Sequence, residues 1–585
     1  MPAPRVRFPL GHSDFRNVRE GGFRYVDKSR LIEDVIATGA QALLIPRPRR
    51  FGKTLNLSML RYFLQKSAED RSHLFAGLAV DSSEIARPHR QRYPVIFMTF
   101  KDVKPRSWED CLAGMAHVLS EAYHEHRYLL TDGNLRPEDA RFFNLILERR
   151  ATKPDLVIAL RRLSQVLAEH HREKVVILID EYDSPIHAGY TNHYYDDVIA
   201  FFRDFLSGGL KDNEHVFKGV LTGILRVARE SLFSGLNSID VFSILRPELA
   251  SYFGFTEPEV RSLVEDVGEP DLIDRIRSFY NGYLFGGEVI YNPWSVLSYL
   301  NRTEKELLPY WIDTSSNDLV RELLLTGPAG VNADLEVLLA GGTVEKRIDE
   351  NIVLRDISGR SEALWSFLLF TGYLKPVEVR LDQGERWAKL AVPNAEVTIA
   401  LRGMARDWIE ARSGGSDRVA ALLGGLLRGD AAAVEHHLSH MMLVDLSYFD
   451  ATSPEPERFY HGLVVGLLAS LGPRYEVRSN RESGLGRCDV MVLPREKGEP
   501  GVALELKRVG AGETPEKALR AALKQIRERD YVAELRARGA APIHEMAAVF
   551  DGKRAHVRTA GEPRKTAPKP RAKAKAKATA SKRRR

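Results

Sequence analysis

The sequence has little cysteine and no long apolar run. Its 585 residues include only two cysteines, Cys111 and Cys488. Two cysteines so far apart do not form the disulfide framework of a secreted protein, so we expect a reducing cytoplasm. No apolar stretch approaches the ~18 residues of a membrane span, and the basic N-terminus lacks the apolar segment of a signal peptide. These absences predict a cytoplasmic protein that is not embedded in a membrane.

Negative charge prevails over most of the chain, whereas positive charge is concentrated at the C-terminus. Residues 558–585 hold 12 Lys or Arg and one acid, a net +11, while the whole chain carries +6 and the other residues therefore −5. Lys, Ala and Pro without bulky apolar side chains cannot bury enough surface to fold, so we expect a disordered tail. Spaced basic residues neutralise phosphate backbones, which favours DNA binding and association with the nucleoid. A solubilising or targeting segment is the open alternative.

The remaining composition, 44% hydrophobic and 28% charged, is typical of globular domains, and the length indicates about three or four of them. The N-terminal half alternates apolar strands with amphipathic helices, which predicts an α/β fold with a parallel sheet covered on both faces. Strands are predicted at 41–46, 93–100, 174–180 and 216–225, and helices at 107–126 and 153–172.

The pattern of alternating strands and helices ends after residue 254. Thr256, followed three residues later by Glu259, predicts the start of a helix. Residues 330–450 are predicted to be mostly helical, and a helix followed by a β-ribbon near 386–397 suggests a winged-helix-like unit. A further region, about 455–557, is predicted to run helix, three strands, long helix, strand.

Gly52, Lys53 and Thr54 close a candidate phosphate-binding loop between an apolar strand and an amphipathic helix. This context is the one that such a loop requires, because backbone N–H groups and the helix N-terminus surround the phosphates. Lys53 would reach the β- and γ-phosphates of ATP, and the Thr54 hydroxyl would bind Mg²⁺. Taken alone, the tripeptide is also compatible with chance.

The same loop carries additional positive charge. Arg47 stands where the usual pattern has its first glycine, and Arg49 and Arg50 follow it. Loss of that glycine changes the shape of the loop, because glycine has unusual backbone freedom, but it removes no phosphate ligand. We expect Arg47 and Arg50 to contribute to nucleotide binding.

A second nucleotide motif follows the apolar run of residues 175–179. At the end of this strand Asp180 can hold Mg²⁺ through water, and Glu181 can polarise the attacking water. Thr222, at the end of a further strand, is a candidate sensor of the γ-phosphate, and Arg226 could contact phosphate as charge develops. A capping Thr and a solvated Arg would give the same pattern at these last two positions.

A second constellation occupies residues 475–509, where charged side chains interrupt two apolar strands. Asp489 opens the first strand, and Glu505 and Lys507 lie two residues apart on the second, so their side chains share one face. Charges on one face of an otherwise apolar strand are costly unless something binds them. Asp489 and Glu505 could share Mg²⁺ with the Leu506 carbonyl, and Lys507 could orient or deprotonate a water that attacks phosphorus. A charged edge strand is the alternative.

The D-x15-E-x-K spacing resembles the core of PD-(D/E)XK nucleases of the restriction-endonuclease type, although Cys488 replaces the usual Pro before the Asp. The resemblance implies that Glu482 adds a metal contact and that Gln525 and Tyr531, on the following helix, help to line the site. The whole chain resembles a bacterial family with an AAA-ATPase-like domain followed by such a nuclease domain. The motifs that carry this resemblance include "RPRRFGKTLNLSML", "ILIDEYDSPI", "LTGILRVARESLFSGLNSI", "ESGLGRCDVMV" and "ALELKR".

The resemblance implies a division of the chain at predicted boundaries: an AAA-like P-loop ATPase domain (1–253), a helical lid-like subdomain (254–325), a helical middle region (326–454), a nuclease-like domain (455–557) and the tail (558–585). The implied cofactors are ATP and Mg²⁺, and the implied substrate is DNA. Whether the chain forms a homo-oligomer, such as an AAA-like ring, stays open.

Two functions remain open at this stage. The first is an ATP-dependent or ATP-regulated deoxyribonuclease. The second is an ATP-switched DNA-binding or scaffold protein whose nuclease-like domain does not cleave. A small-molecule kinase is disfavoured, because it leaves the C-terminal carboxylates and the basic tail unexplained.

Overall fold

The structure is a computed structural model. It describes residues 6–132, 135–226, 239–311, 320, 331–339, 341–352, 354–357, 361–412, 416–445, 464, 468, 471, 474–483, 486–510, 512–528, 530, 532–551 and 554–560. The predicted basic tail lies outside these residues beyond Ala560, as does most of the helix predicted at the start of the nuclease-like region.

The chain forms two compact units, Met1–Trp408 and Ile409–Arg585. In the first unit the α-helices span Phe15–Glu20 (α1), Arg30–Ala37 (α2), Lys53–Leu64 (α3), Trp108–His124 (α4), Tyr128–Thr131 (α5), Pro137–Leu147 (α6), Lys153–His171 (α7), Ser184–Thr191 (α8), Tyr195–Leu210 (α9), Glu257–Val267 (α10), Leu272–Tyr280 (α11), Pro293–Asn301 (α12), Val331–Leu339 (α13), Ser361–Phe370 (α14) and Ala395–Arg412 (α15), the last of which contains the division between the units. Short 3-10 helices lie at Ser72–Phe75, Ala79–Ser82, Arg87–His89, Ala250–Tyr252 and Leu354–Asp356.

The strands that the structure describes in the first unit form three sheets. They span Ala42–Pro46 (β1), Val95–Thr99 (β2), Val175–Asp180 (β3), Val216–Gly223 (β4), Ile239–Val241 (β5), Phe255–Thr256 (β6), Tyr283–Phe285 (β7), Glu288–Tyr291 (β8), Val344–Ile348 (β9), Lys375–Asp382 (β10) and Glu385–Ala391 (β11).

The largest of these sheets is parallel, with strand order β2-β3-β4-β1-β5. All residues of β1 and β3 are buried, as expected for parallel strands covered on both faces, which read as continuous apolar runs. The four predicted strands are therefore confirmed as β1 to β4, and the two predicted helices as α4 and α7. Because the strands run parallel, the segments that follow β1, β3 and β4 meet at one edge of the sheet.

A smaller antiparallel sheet, β6-β8-β7, packs with helices α10 to α12. The predicted start of α10 is confirmed: Thr256 and Glu259 form a capping box, in which each side chain accepts a hydrogen bond from the other residue's backbone. Most of the buried side chains of this part form an apolar cluster of their own, which includes Val260, Ile276 and Tyr299.

The third sheet has the order β10-β11-β9, and α14 precedes the β10–β11 hairpin. The ribbon was predicted near 386–397, but the hairpin spans 375–391 and α15 already begins at Ala395, so the predicted ribbon was placed too far along the chain. The winged-helix-like unit stays a prediction. Trp365 of α14 is fully buried and belongs to the same apolar cluster as the residues of the parallel sheet.

The second unit contains a mixed five-stranded sheet. Its elements are Ser416–Arg428 (α16), Ala431–Asp445 (α17), Tyr475–Ser483 (β12), Gly486–Pro494 (β13), Gly501–Arg508 (β14), Pro515–Glu528 (α18), Ala533–Ala537 (α19), Ile543–Asp551 (β15) and Arg554–Thr559 (β16). The sheet order is β12-β13-β14-β15-β16, with only the β14–β15 pair parallel.

Two features of this unit differ from the predicted boundaries. Helix α17 packs on β16, where Ser439 Oγ donates to the carbonyl of Ala555 at 3.0 Å, so helices predicted in the middle region share the unit of the sheet. Strand β16 also continues to Thr559, so the tail begins later than predicted. Arg558 donates two hydrogen bonds to Glu516 at 2.7 Å, and this contact lowers the pKa of Glu516 to about 2.

Candidate functional sites

The candidate phosphate loop joins β1 to α3. Gly52 is the N-cap of α3 and has φ of 81°, in the left-handed region that favours glycine. A Cβ at Gly52 would meet no atom within 4 Å, so the requirement for glycine here is conformational and not steric. The first N–H groups of α3, which like those of any helix have no acceptor within it, follow Gly52 directly, as an anion site requires.

Lys53 lies across this loop and is only 5% exposed. Its Nζ donates to the carbonyl oxygens of Arg47 and Pro48, each at 3.0 Å. Desolvation lowers the pKa of Lys53, and the nearby carboxylates of Glu181 and Asp180 oppose that shift. The ammonium group is thus held between the loop and the acidic end of β3, where a triphosphate of a bound nucleotide would need it.

Thr54 and Thr222 both donate hydrogen bonds to Asp180. Thr54 Oγ1 lies 2.7 Å from Asp180 Oδ2, and Thr222 Oγ1 lies 2.7 Å from Asp180 Oδ1. Desolvation raises the pKa of the fully buried Asp180, while the two hydroxyl donors oppose that shift. The structure therefore brings together three predicted site residues from α3, β3 and β4, although Thr54 and Asp180 lie 126 residues apart.

Glu181 follows Asp180 and faces the same region. It is half-buried, has φ of 50°, and accepts a hydrogen bond from Ser184 Oγ at 3.1 Å. A non-glycine residue with positive φ is uncommon and is often found at functional sites. The structure places Glu181 in the wall of the same cavity as Lys53 and Thr54.

Asp183 is a buried acid that the sequence analysis did not assign. Its Oδ2 accepts the backbone N–H groups of Ile224 at 2.8 Å and Leu225 at 3.1 Å, and lies 3.5 Å from His187 Nε2. Desolvation would raise the pKa of Asp183, but these hydrogen bonds and His187 outweigh it, so its pKa is lowered. Asp183 fixes the segment that follows Thr222. The only sequence signal for it was a third acid in the DEYD motif.

Arg47 does not occupy the position that the sequence predicts. Its guanidinium is fully buried and donates to the carbonyls of Pro46 at 2.9 Å, Phe242 at 2.5 Å and Leu249 at 3.2 Å. Burial lowers its pKa to about 9. The arginine ties the start of the loop to the segment after β5 instead of facing the cavity, so we leave Arg47 out of the nucleotide ligands that we propose.

The other two predicted arginines have different surroundings. The Arg50 guanidinium lies 3.8 Å from the centre of the Trp294 ring, and its Nη1 donates to the Tyr310 carbonyl at 3.1 Å. Arg50 lines the cavity, whereas Arg226 is not among its lining residues. Burial lowers the pKa of Arg226, and the charges of Arg246 and Asp349 also act on it, in opposite directions.

A cavity of about 280 Å³ opens beside the loop. Its lining includes residues 50–56, Glu181 and residues 9–13. Tyr252, Phe255 and Trp294 supply aromatic surface. Such a combination of apolar walls with a few convergent polar groups is typical of a small-molecule site.

These residues fit ATP and Mg²⁺. A hydroxyl and a carboxylate oxygen that already lie 2.7 Å apart, Thr54 Oγ1 and Asp180 Oδ2, are oxygen donors of the kind that Mg²⁺ prefers. Gly52 and Lys53 supply the backbone and the cation that a triphosphate needs. The cavity beyond them could accommodate a nucleoside.

In the second unit, Asp489 and Glu505 lie on adjacent antiparallel strands. The pairs Val490–Leu504 and Met491–Ala503 set the register of β13 on β14, and one further step brings Asp489 opposite Glu505. Residues opposite each other on antiparallel strands point to the same face of the sheet. Asp489 Oδ2 also accepts the backbone N–H of Leu506 at 2.9 Å.

Lys507 shares that face and contacts helix α18. Its Nζ donates to Oε1 of Gln525 at 2.7 Å. Ala518 and Leu519 of α18 pack on Ala547 of the neighbouring strand, which holds the helix over this face of the sheet. The implied proximity of Gln525 to the site therefore agrees with the structure, whereas Tyr531 lies outside the described residues.

Of the three carboxylates predicted to bind metal in the second unit, the structure describes the side chains of two. Glu505 is 2% exposed and Asp489 is half-buried, so two carboxylates face one side of the sheet. The side chain of Glu482 lies outside the described residues. Within the described residues no group of three or more His, Cys, Asp or Glu is placed to hold a metal ion. Mg²⁺ commonly uses one or two carboxylates together with water, so two are compatible with it.

The parallel sheet with its phosphate loop defines the first region as a P-loop NTPase-like α/β domain, and the mixed sheet defines a nuclease-like domain. Residues 9–233 match the model of a family described as a predicted AAA-ATPase. Residues 455–560 match the PD-(D/E)XK nuclease superfamily. The chain therefore combines an AAA-ATPase-like domain with a PD-(D/E)XK nuclease superfamily domain, which confirms the architecture indicated by its motifs.

The chain is 28% identical over 559 residues to an uncharacterised protein in the vnfD 5′ region of Azotobacter chroococcum mcd 1, and the match covers 93% of this chain and 96% of the relative. A Walker-type ATPase of Pyrococcus abyssi aligns with 69% of this chain and 99% of its own, at 14% identity and a TM-score of 0.35. No helix in the described part of the chain is both long and apolar enough to cross a bilayer.

Proposed function

We propose that this protein binds and hydrolyses ATP and that its nucleotide state controls a Mg²⁺-dependent nuclease acting on DNA. The observation that carries the proposal is the coexistence of two sets of chemical groups in one chain. Thr54, Asp180 and Thr222 form one hydrogen-bonded set beside Lys53. Asp489 and Glu505 face one side of a second sheet beside Lys507.

In the ATPase half, each residue has a distinct task. Lys53 and the backbone after Gly52 bind the phosphates, and Thr54 and Asp180 hold Mg²⁺. Glu181 orients the attacking water. Thr222 senses the γ-phosphate, and its hydrogen bond to Asp180 supports this role.

In the nuclease half, Asp489 and Glu505 hold the metal ion, with Glu482 as a third candidate ligand. Bound Mg²⁺ would supply charge neutralisation at the phosphate and a more acidic water. Lys507 then orients or deprotonates the attacking water. The side-chain oxygen of Gln525 accepts a hydrogen bond from the Lys507 amino group and keeps that group directed to this face of the sheet.

The basic tail and the cellular setting complete the proposal. Residues 561–585 hold 11 Lys or Arg, and they would bind DNA without sequence preference and raise its concentration near the nuclease domain. We place the protein in the bacterial cytoplasm, associated with the nucleoid. Assembly into a homo-oligomer is compatible with this proposal and is not required by it.

The test is a cleavage assay with purified full-length protein. Supercoiled and linear DNA are incubated with Mg²⁺ or with EDTA, and in each case with and without ATP. We expect Mg²⁺-dependent cleavage whose rate changes on addition of ATP. A protein that binds DNA but leaves both substrates intact under every condition would contradict the nuclease proposal.

One observation favours a second function. The described residues supply only two carboxylates to the nuclease-like face, and no cluster of three metal ligands. An ATP-switched DNA-binding or scaffold protein would need the fold but not a full metal site. Cleavage that is absent in the wild type, together with ATP-dependent DNA binding, would establish this alternative.

A further inference from the structure

A buried carboxylate outside both motif sets contacts the surroundings of the phosphate loop. Glu396, the second residue of α15, is fully buried. Ser295 Oγ lies 2.9 Å from both of its carboxylate oxygens and donates its one proton between them, and Oε1 also accepts the backbone N–H of Trp311 at 2.6 Å. Burying an ionisable carboxyl group is costly, so a buried Glu with this set of donors calls for a role.

The groups that Glu396 binds belong to two segments that hold the phosphate loop. Ser295 follows Trp294, and the Trp294 ring lies against the Arg50 guanidinium at 3.8 Å. The Trp311 indole N–H donates to the carbonyl of Arg49 at 3.3 Å. Glu396 is therefore hydrogen-bonded directly to both segments whose side chains contact Arg49 and Arg50.

A further set of contacts closes this arrangement. The carbonyl of Tyr310 accepts hydrogen bonds from both Arg50 Nη1 and Trp294 Nε1, each at 3.1 Å. Tyr310 immediately precedes Trp311, so the segment that Glu396 fixes also holds the Arg50–Trp294 pair. Displacement of this segment would break three hydrogen bonds at once: the two to the Tyr310 carbonyl and the one from the Trp311 indole to the Arg49 carbonyl.

We propose that Glu396 is a positioning residue for the nucleotide site: its ionised carboxylate holds Ser295 and Trp311 so that their segments fix Arg49 and Arg50 of the phosphate loop. The inference rests on the proposed ATP binding. Protonation of Glu396 would remove the negative charge that strengthens its hydrogen bonds from Ser295 and Trp311 and that attracts Arg50, so its hold on both segments would weaken.

The protonation of Glu396 falls in an accessible pH range. Desolvation raises its pKa to about 7, although Arg50 and the two donors oppose the shift. The other titratable groups that face it are Tyr280, Tyr283 and Tyr310, and burial raises the pKa of all three tyrosines. Near neutral pH, Glu396 is therefore the group of this set that changes charge.

The test compares the full-length wild type with Glu396→Gln and Glu396→Ala. The affinity for a fluorescent ATP analogue is measured between pH 6 and pH 8.5. Wild-type affinity should fall below pH 7 relative to that of Glu396→Gln, whose side chain does not titrate. At pH 8, Glu396→Ala should bind about tenfold more weakly than the wild type, as expected for loss of hydrogen bonds to an ionised group. Titration of the ATP phosphates affects all three proteins equally, so it cancels in the ratio of affinities.

Controls separate this inference from the proposed function. Glu378→Ala removes an exposed glutamate paired with Lys389 and should bind like the wild type. If Glu396→Ala does not fold, the nearly isosteric Glu396→Gln still gives the pH comparison. A constant affinity ratio between wild type and Glu396→Gln across the pH range would overturn the positioning role alone. Wild-type protein without nucleotide affinity would overturn ATP binding, and this inference with it.

Discussion

The two candidate sites are assembled in opposite ways. In the first unit, Thr54 and Asp180 come from motifs 126 residues apart, and they meet because parallel strands deliver the segments that follow them to one edge of the sheet. In the second unit, Asp489 and Glu505 meet because two adjacent antiparallel strands are in register. The first site therefore depends on the topology of the whole sheet, whereas the second depends mainly on one hairpin. A substitution in one site should therefore leave the geometry of the other intact, whereas control of cleavage by ATP requires both sites.

The largest expected effect separates the two sites at the nuclease end. Lys507→Ala removes the amino group that lies beside Asp489 and Glu505, and loss of such a group typically lowers the rate by ~10²–10⁴. DNA cleavage should be lost while ATP hydrolysis is retained, as measured on the same preparation. The matched control is Lys524→Ala, an exposed lysine of α18 paired with Glu528. Equal cleavage by both variants would remove Lys507 from the mechanism.

The complementary substitution is Lys53→Ala at the phosphate loop. Because the buried ammonium is the loop's cation for the phosphates, we expect nucleotide affinity to fall by about two orders of magnitude or more, as for loss of a charge-assisted contact in a buried site. Any cleavage by this variant should no longer respond to ATP. Lys66→Ala, an exposed lysine just after α3, serves as the control. Retained nucleotide binding in Lys53→Ala would mean that the loop does not bind phosphate.

Asp183 tests how strongly the first site depends on its supporting structure. Asp183→Asn replaces a buried carboxylate that accepts two backbone N–H groups, and it should lower the free energy of unfolding by about 1–3 kcal/mol. All six tryptophans lie within Met1–Trp408, so tryptophan fluorescence during urea unfolding reports on this unit alone. Asp102→Asn, in an exposed turn, should leave the transition unchanged.

The stabilisation by Asp183 should also depend on pH, in a direction set by its lowered pKa. The folded-state pKa of Asp183 is lowered, so its ionised form stabilises the fold above the unfolded pKa near 4, and this stabilisation is lost as pH falls through the folded value. The difference in free energy of unfolding between wild type and Asp183→Asn should therefore become smaller in acid. A difference that grows below pH 4 would contradict the assignment of Asp183 as an ionised acceptor.

The smallest effect is expected from the tail. A chain that ends at Ala560 keeps β16 intact and removes 11 Lys or Arg. DNA affinity should decrease, and the dependence of log K on log salt should become less steep by about 0.9 for each phosphate contact that is lost. ATP hydrolysis should not change. An unaltered salt dependence would show that the tail takes no part in DNA binding.

The sequence was sufficient for those parts of the fold that depend on local pattern. Buried parallel strands read as continuous apolar runs, so β1 to β4 could be located, and each of the strands β1, β3 and β4 leads to a predicted site residue. Thr54 and Asp180 could be predicted to lie close together because their motifs specify residue type and context together, and the structure joins them by a hydrogen bond. The shared face of Glu505 and Lys507 followed from the alternation of side chains along one strand, whereas the register that brings Asp489 opposite Glu505 is visible only in the folded sheet.

Other features depend on contacts that no local pattern encodes. The role of Arg47 follows from carbonyls near residues 242 and 249, which only the folded chain brings to it. Glu396 contacts residues 85 and 101 positions away, and its own sequence context is an unremarkable helix start. Arg558 looked like part of a basic tail, because its partner, Glu516, lies on a distant helix.

In the proposed mechanism, nucleotide bound at the phosphate loop controls the nuclease. The most direct test compares supercoiled DNA cleavage by wild type and Lys53→Ala, in Mg²⁺, with and without ATP. We expect ATP to change the wild-type rate and to leave the Lys53→Ala rate unaltered, with Lys507→Ala inactive in both conditions. Wild-type cleavage that is indifferent to ATP, although ATP is bound and hydrolysed, would contradict the claim and leave two independent activities in one chain.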